Sequence, residues 1–281
     1  MVNAFRPLSL REALDIRNVN ETVVYAGGSD LMVRYRAWSG LTPRLPKPAL
    51  MIGHLRELRE IMVVDGTLEI GACCTLAEIL SHRAVPGYVK LPLANMASPS
   101  IRNVATMGGN IGNASPAGDT LPMLYSLDAR LTLQSLERVA VVNIADFITG
   151  PGQTILEDNQ IVTRISIPLA DFNRVYCRKV GTRRANSISK ITVYAAARAG
   201  ASAMEDVRIS FGAMAPVVVR SREAESLLET LSPEECYERL EDVKACYLPL
   251  IRPIDDQRST KEYRRRVAFR LLEDFLSGLR Q

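Results

Sequence analysis

The alternation of hydrophobic and polar positions in the first part of the chain predicts short helices and strands in turn. Ser9 and Glu12 form a capping-box pattern, which predicts a helix over 9–16. A run of β-branched and aromatic residues then predicts a strand over 22–25. The other elements predicted in this stretch are a helix over 31–38 and a buried strand over 49–52.

A second, strand-rich stretch begins near residue 58. The dipeptide Asp65-Gly66 suits a two-residue turn and predicts a hairpin between strands at 61–64 and 67–71. Thr75 and Glu78 form a second capping-box pattern, at the start of a helix predicted over 75–82. The further elements predicted here are a helix over 121–127 and strands over 130–134, 139–144 and 161–167.

The pattern changes after Pro168, because strands now come first and helices follow. The predicted strands cover 174–180, 189–199, 207–213 and 217–220, and the predicted helices cover 221–229, 233–246 and 260–277. Consecutive strands followed by consecutive helices are typical of an α+β domain. The whole chain is therefore predicted to be α+β, with at least two structural units.

Composition narrows the functional classes. The chain has 281 residues, 47% hydrophobic and 23% charged, which is ordinary for a globular protein. A net charge of +4, spread along the chain, gives no reason to expect a nucleic-acid partner. No apolar run approaches the ~18 residues that a membrane span requires, and the first residues lack a signal-peptide pattern. A cytoplasmic protein is the expectation.

Cysteine spacing argues against metal centres in this chain. The five cysteines show no CxxC pair and no iron–sulfur spacing, and only His54 and His82 could assist them. We therefore expect no metal site and cysteines that are buried free thiols. No Ser/His/Asp or Cys/His catalytic set is present, so we expect no catalytic residue of that kind.

Two glycine-rich segments carry the candidate chemistry. The first is AGGSDL at 26–31, and the second is TMGGNIGN at 106–113. Glycine permits positive φ and lets amide groups approach a phosphate closely, so the pair predicts two loops that grip an anionic ligand from two sides. Neither segment matches GxGxxG or GxxxxGK[ST]. The alternative is that both are Asx and Ser/Thr turns without a ligand.

Three charged residues accompany these segments. Asp30 could cap the helix predicted to follow the first segment, which is compatible with ligand binding. The loop predicted at the second segment runs on to Asp119, which closes it and is expected to accept hydrogen bonds from a ribityl or ribose hydroxyl, because a phosphate would repel it. Lys179 could place a cation near a reduced, anionic flavin, although a lysine in a basic strand is usually only solvated.

These residues resemble the FAD-binding medium subunit of the molybdenum hydroxylases, the xanthine dehydrogenase and carbon monoxide dehydrogenase family. The resemblance covers essentially the whole chain and is most specific over 106–131. It also includes AGGSDL, the segment KVGTRRANSISK at 179–190, VRISFGAMAPVVVRSREAE at 207–225, and residues 258–265.

The resemblance implies a fold and a domain order. The first domain, over 1–170, would be an FAD-binding domain of the vanillyl-alcohol-oxidase (PCMH) type, with subdomains over about 1–55 and 56–170. A C-terminal α+β domain of the carbon monoxide dehydrogenase flavoprotein type would follow over 171–281.

The resemblance also implies a set of residues that bind FAD non-covalently. The first segment would cradle the pyrophosphate with Tyr25, Ala26, Gly27, Gly28, Ser29, Asp30, Leu31 and Met32, and the second with Thr106, Gly108, Gly109, Asn110 and Asn113. Asp119 would meet a polar group of the cofactor, Ile161 and Val162 would supply an apolar contact, and Lys179 would lie near the isoalloxazine. Met96 stands where some family members carry an aromatic residue, and would pack on the ring through its sulfur.

The implied role is electron transfer. A 2Fe-2S subunit and a molybdopterin-binding large subunit would be the partners, and FAD would pass electrons to an acceptor such as NAD. The chain would be an oxidoreductase subunit that does not hydroxylate substrate alone. One alternative is a stand-alone FAD-dependent oxidase or reductase of the same domain superfamily. It would need its own substrate pocket and proton donor, and the sequence offers no candidate acid–base pair. The other alternative is a non-catalytic scaffold subunit that has lost FAD, which the intact glycine segments and Asp119 argue against.

Overall fold

The computed structural model describes residues 4–39, 41, 44–183 and 186–280. The chain divides into two compact units of interleaved sequence. The first contains Met1–Val85, Ser98–Ala114 and Ala129–Pro168, and the second contains Pro86–Ala97, Ser115–Asp128 and Leu169–Gln281.

The first unit holds a small parallel sheet, a larger antiparallel sheet and a short hairpin. Its strands are β1 (Ala4–Phe5), β2 (Val23–Tyr25), β3 (Ala49–Met51), β4 (Ile61–Val64), β5 (Thr67–Gly71), β6 (Arg130–Gln134), β7 (Val139–Asn143), β8 (Ile148–Gly150), β9 (Gln153–Thr154) and β10 (Ile161–Pro168). Its α-helices are α1 (Leu10–Val19), α2 (Leu31–Arg34), α3 (Leu76–Ser81), α5 (Pro99–Arg102), α6 (Met107–Asn113) and α8 (Ile144–Phe147), and a 3-10 turn covers Arg56–Leu58.

The parallel sheet has the order β1-β3-β2 and receives the apolar side of α1. Ser9 caps α1 as predicted, because its Oγ accepts the Glu12 amide at 3.2 Å. The Glu12 carboxylate accepts the Leu8 amide instead of completing a box with Ser9. Leu14 and Leu50 lie in one buried apolar cluster, so the helix is fixed mainly by burial.

Helix α2 is much shorter than the predicted 31–38. Asp30 has helical backbone angles (φ −98°, ψ −43°) and makes no capping hydrogen bond, so the predicted cap is wrong. The helix also buries none of its residues. A short helix without a cap or a buried face lacks the interactions that offset the cost of nucleation, which explains why it ends at Arg34.

The larger sheet has the order β4-β5-β10-β6-β7 and is antiparallel throughout. The hairpin prediction is confirmed, since Asp65 and Gly66 have φ of 47° and 71°, the pair of positive values that a two-residue turn needs. The capping box of α3 is also confirmed, with Thr75 and Glu78 satisfying each other's amides.

The second unit is an antiparallel sheet with helices. Its strands are β11 (Arg174–Val180), β12 (Ile191–Ala199), β13 (Met204–Gly212) and β14 (Val219–Arg220), in that order across the sheet. Its helices are α4 (Gly87–Ala94), α7 (Leu121–Ser126), α9 (Arg222–Ser226), α10 (Pro233–Glu238), α11 (Leu240–Tyr247) and α12 (Lys261–Gly278).

Strand β12 is the centre of this unit because both of its faces are buried. Ile191 and Val193 share an apolar cluster with Leu272 and Phe275 of α12, while α7 contacts β12 and β13. The α+β prediction is therefore confirmed. Helix α4 was not predicted, because Gly87 at its start and Pro92 inside it are residues that usually mark loops.

Candidate functional site

The first glycine segment follows β2 in the first unit and has a run of unused amide donors. Within the described residues, none of the backbone N–H groups of residues 27–31 donates a hydrogen bond. Gly28 has φ of 69°, the left-handed conformation that glycine adopts without strain. Successive free amides around such a turn form a concave anion-binding nest. The geometry suits a phosphate group.

Gly27 has a different role, which is close approach between the two glycine segments. A Cβ atom at Gly27 would lie 1.7 Å from the carbonyl oxygen of Val104, two residues before the second segment. A Cβ at Gly28 would lie 2.2 Å from the Tyr25 hydroxyl, because the tyrosine ring covers that glycine. The two segments thus lie close together, and Gly27 makes the approach possible; their grip on a common ligand stays a prediction.

The second segment is not the loop that its glycines predicted; it forms helix α6. Thr106 caps this helix, with its Oγ1 accepting the Gly109 amide at 3.0 Å. The amides of Met107 and Gly108 donate to the carbonyls of Cys74 and Ala72 at 3.3 and 3.0 Å. These amides already have protein acceptors, so the predicted backbone grip from this side finds no unused donor among them and stays a prediction.

Gly108 lets α6 lie against the segment that supplies those acceptors. A Cβ at Gly108 would lie 2.6 Å from the Ala72 carbonyl oxygen. A Cβ at Gly109 would meet Thr106 Oγ1 at 2.8 Å, whereas one at Gly112 would meet nothing within 4 Å. Gly108 is therefore required for packing, while Gly112 lies in open space.

Arg34 joins the two segments and was not predicted. Its Nη2 donates to Asn113 Oδ1 at 2.9 Å, which connects the end of α2 with the end of α6. Among the described residues Arg34 forms no ion pair with a carboxylate. An arginine without a partner carboxylate, close in sequence to five open amides, adds positive charge for an anion. The one sequence signal was a basic residue one turn after the first loop.

The two predicted apolar contacts begin strand β10. Ile161 is buried in the apolar cluster that contains Leu50 and Cys73, and Val162 is 8% exposed beside it. Helix α6 contacts the same strand. The structure thus gives Ile161 a core-packing role and leaves Val162 as the more accessible of the pair.

Asp119 lies in the second unit, in a buried hydrogen-bond network. Its Oδ2 pairs with Lys179 Nζ at 2.6 Å, and both side chains are about one-tenth exposed. Its Oδ1 accepts hydrogen bonds from the Ser189 hydroxyl and, at 3.2 Å, from Thr192 Oγ1. The residue predicted to receive a cofactor hydroxyl thus already has three protein donors. Sequence reasoning missed Ser189 and Thr192 because nothing local relates them to Asp119.

Met96 also belongs to the second unit, in the turn after α4. Its amide donates to the Leu93 carbonyl at 3.2 Å, and Ala97 follows with φ of 53°. The structure therefore divides the predicted site residues between the two units: 25–32, 106–113 and 161–162 lie in the first, and Met96, Asp119 and Lys179 lie in the second.

The two histidines contact backbone groups, and Cys73 and Cys74 are buried thiols. His54 Nε2 lies 2.8 Å from the Pro7 carbonyl oxygen, and His82 Nδ1 accepts the Ala84 amide at 3.3 Å. Burial raises the pKa of the Cys73 and Cys74 thiols to about 12. The described residues include no cluster of three or more His, Cys, Asp or Glu side chains arranged for a metal.

No described helix has both the length and the apolar character needed to cross a bilayer.

Comparison with known proteins identifies both parts of the chain. Residues 1–170 match the family described as the FAD binding domain in molybdopterin dehydrogenase, and residues 176–279 match the CO dehydrogenase flavoprotein C-terminal domain. The glyceraldehyde dehydrogenase medium chain of Sulfolobus acidocaldarius is 30% identical over 93% of this chain and 92% of its own length. The xanthine dehydrogenase FAD-binding subunit of Escherichia coli O157:H7 is 29% identical over 92% and 89%.

Solved structures show the same fold. A chain of the cyanide-inactivated Cu,Mo-CO dehydrogenase superposes with a TM-score of 0.88 at 20% identity, covering 99% of this chain and 98% of that one. A chain of quinoline 2-oxidoreductase from Pseudomonas putida 86 gives 0.86 at 20% identity, covering 99% and 96%. At such identity the likeness establishes the fold, and with the family matches it confirms the predicted fold class.

Proposed function

We propose a function from one premise: this chain belongs to the family of FAD-binding medium subunits of molybdenum hydroxylases, an oxidoreductase family. The proposal is that it transfers electrons from the iron–sulfur clusters of a partner subunit to a final acceptor such as NAD. When bound, FAD would collect two electrons, delivered one at a time by the iron–sulfur clusters, and would pass them on to the acceptor. The chain's own residues bind the cofactor, orient it and set the charge around it.

The observation that carries the proposal is the run of unpartnered amides at 27–31. Five consecutive N–H groups without a protein acceptor in the described part of the chain, around a turn with a left-handed glycine, form a half-exposed row of donors for an anion. A pyrophosphate supplies the missing acceptors. We assign the pyrophosphate contact to residues 25–32, with Arg34 as the nearest candidate cation.

The remaining predicted contacts keep narrower roles in the proposal. Thr106, Gly108 and Gly109 shape the start of α6, while Asn110 and Asn113 offer side-chain amides. Ile161 and Val162 supply an apolar wall, Met96 packs on the flavin ring, and Lys179, paired with Asp119, is the flavin-side cation. These assignments rest on the resemblance and on the burial and pairing described above.

We further propose that the chain works within a heteromer, together with a 2Fe-2S subunit and a molybdopterin-binding large subunit. The relatives named as a medium chain and as an FAD-binding subunit support this arrangement. In it, residues 1–170 form the FAD domain and residues 171–281 the C-terminal domain.

FAD is held non-covalently, since His54 and His82 lie in neither glycine segment and both bond to backbone groups.

The test is an absorption spectrum of the purified chain, taken before and after acid precipitation. A band near ~450 nm that passes into the supernatant supports non-covalent FAD, because the flavin dominates the chemistry and the colour. A yellow pellet, or turnover of an organic substrate by the chain alone, would favour the stand-alone oxidase. A colourless chain that takes up no added FAD would contradict the proposal.

A further inference from the structure

The Asp119 network contains two residues to which the proposed function gives no role. Ser189 and Thr192 are almost completely buried, and both donate to the oxygen of Asp119 that does not pair with Lys179. We propose that Ser189 and Thr192 are positioning residues, which hold Asp119 so that Lys179 presents a fixed, incompletely neutralised cation to the flavin. This inference rests on the proposed function, in which Lys179 lies near the isoalloxazine.

The backbone fixes the arrangement. Lys179 on β11 and Thr192 on β12 are directly opposite in the antiparallel register, so their side chains project from the same face of the sheet. Ser189 lies just before β12, and Asp119 lies just before α7, which contacts β12. Each of the four side chains is therefore attached to an element whose place is set by sheet pairing or helix packing.

The hydroxyls of Ser189 and Thr192 supply hydrogen bonds that a buried carboxylate needs. An ion pair taken out of water is stable only when further hydrogen bonds satisfy its remaining lone pairs. A carboxylate offers about four acceptor sites, and Lys179, Ser189 and Thr192 occupy three of those on Asp119. Without the hydroxyls, Lys179 would be the one side-chain donor left to Asp119 among the described residues.

The same hydrogen bonds determine how strongly Asp119 offsets the positive potential of the Lys179 ammonium. Hydroxyl donors on Oδ1 stabilise the negative charge of Asp119, so less of that charge acts on the ammonium at Oδ2. An ammonium has three N–H donors, and only one is needed for Asp119. Loss of a hydroxyl would bind Lys179 more tightly to Asp119 and weaken the positive potential that favours reduced, anionic flavin.

The experiment measures the FAD midpoint potential of the purified chain by spectroscopic redox titration. Ser189→Ala and Thr192→Val each remove one hydroxyl, and Thr192→Ser restores it. Ser210→Ala is the matched control, because Ser210 is a buried serine of the same sheet that donates to the Pro122 carbonyl and not to Asp119. We expect a more negative potential in S189A and T192V, and the wild-type potential in T192S and S210A.

Equal potentials in all five proteins would overturn the inference, and so would an equal shift in S210A. The potential can be measured only on a chain that holds FAD. For variants that lose FAD, or a wild-type chain that holds none, a double-mutant cycle of urea unfolding with Ser189→Ala and Lys179→Gln tests the inference instead. Ser189 bonds to Asp119 and not to Lys179, so non-additive effects would show coupling through Asp119. Additive effects would overturn the inference, whereas a flavin-free wild type would contradict only the proposed function.

Discussion

The two glycine segments look alike in sequence and differ in how they use their backbone. Residues 27–31 leave five successive amides without an acceptor in the described part of the chain. In the second segment, the amides of Met107 and Gly108 donate to the 72–75 stretch, and those of Gly109 and Asn110 donate to Thr106. The first segment is open to an anion, whereas the second is already satisfied by the protein.

The difference shows that a glycine pair can serve two purposes at once. Gly27 and Gly108 each allow one backbone to approach another, Val104 in the first case and Ala72 in the second. Gly28, at positive φ, shapes the open turn. The first glycine of each pair therefore holds the site together, and only the first segment leaves donors for a ligand.

The largest effect is expected from Gly27→Ala. The added Cβ would lie 1.7 Å from the Val104 carbonyl oxygen, so one backbone segment must move. We expect a loss of about 3 kcal/mol or more in the free energy of unfolding, at the upper end of overpacking effects, together with loss of FAD binding. Urea unfolding and flavin content measure the two effects. A variant with wild-type stability would refute the contact between the segments.

Gly108→Ala should have a smaller effect. Its Cβ would lie 2.6 Å from the Ala72 carbonyl, the acceptor of the Gly108 amide. We expect destabilisation of about 1–3 kcal/mol, because α6 can shift as a short helix. FAD affinity should fall less than in Gly27→Ala, and a flavin titration compares them. Complete loss of FAD in a stably folded G108A would instead mean that the second segment grips the pyrophosphate directly.

Thr106→Ala tests the cap that distinguishes the second segment. Removing Oγ1 leaves the Gly109 amide without its acceptor and should cost about 1 kcal/mol of stability. Thr106→Ser keeps the hydroxyl and should remain close to wild type in urea unfolding. If both variants lose stability equally, the methyl group rather than the cap is what matters.

The smallest effect is expected from Gly112→Ala. No atom lies within 4 Å of the added Cβ, and the residue is inside α6, where alanine is the better helix former by about 0.5–1 kcal/mol. The chain should become slightly more stable in the same unfolding assay. Marked destabilisation would contradict the helical assignment of the second segment.

The predictable features of the fold were those set by neighbouring residues. Thr75 with Glu78 specified a helix start, and Asp65-Gly66 specified a turn. Thr260 likewise caps α12 close to the predicted boundary. In these cases the hydrogen-bond partners or backbone angles belong to the same few residues, so the local sequence is sufficient.

The unpredicted features depend on residues distant in sequence. Residues 106–113 were predicted as a loop because glycine permits positive φ and close approach of amides to a phosphate, yet most of them form helix α6, and Ala72 and Cys74 supply acceptors for its first amides. The Asp119 network draws Ser189 and Thr192 from another strand region. Part of the segment that resembles the lysine-bearing motif, Arg184 and Ala185, lies outside the described residues.

Amide hydrogen exchange, measured on the chain with and without FAD, tests the central claim most directly. In the FAD-free chain we expect fast exchange at residues 27–31 and slower exchange at 107–110, because only the latter amides are hydrogen-bonded. Added FAD should protect 27–31 and change 107–110 little. Protection gained at 107–110, with none at 27–31, would contradict the account.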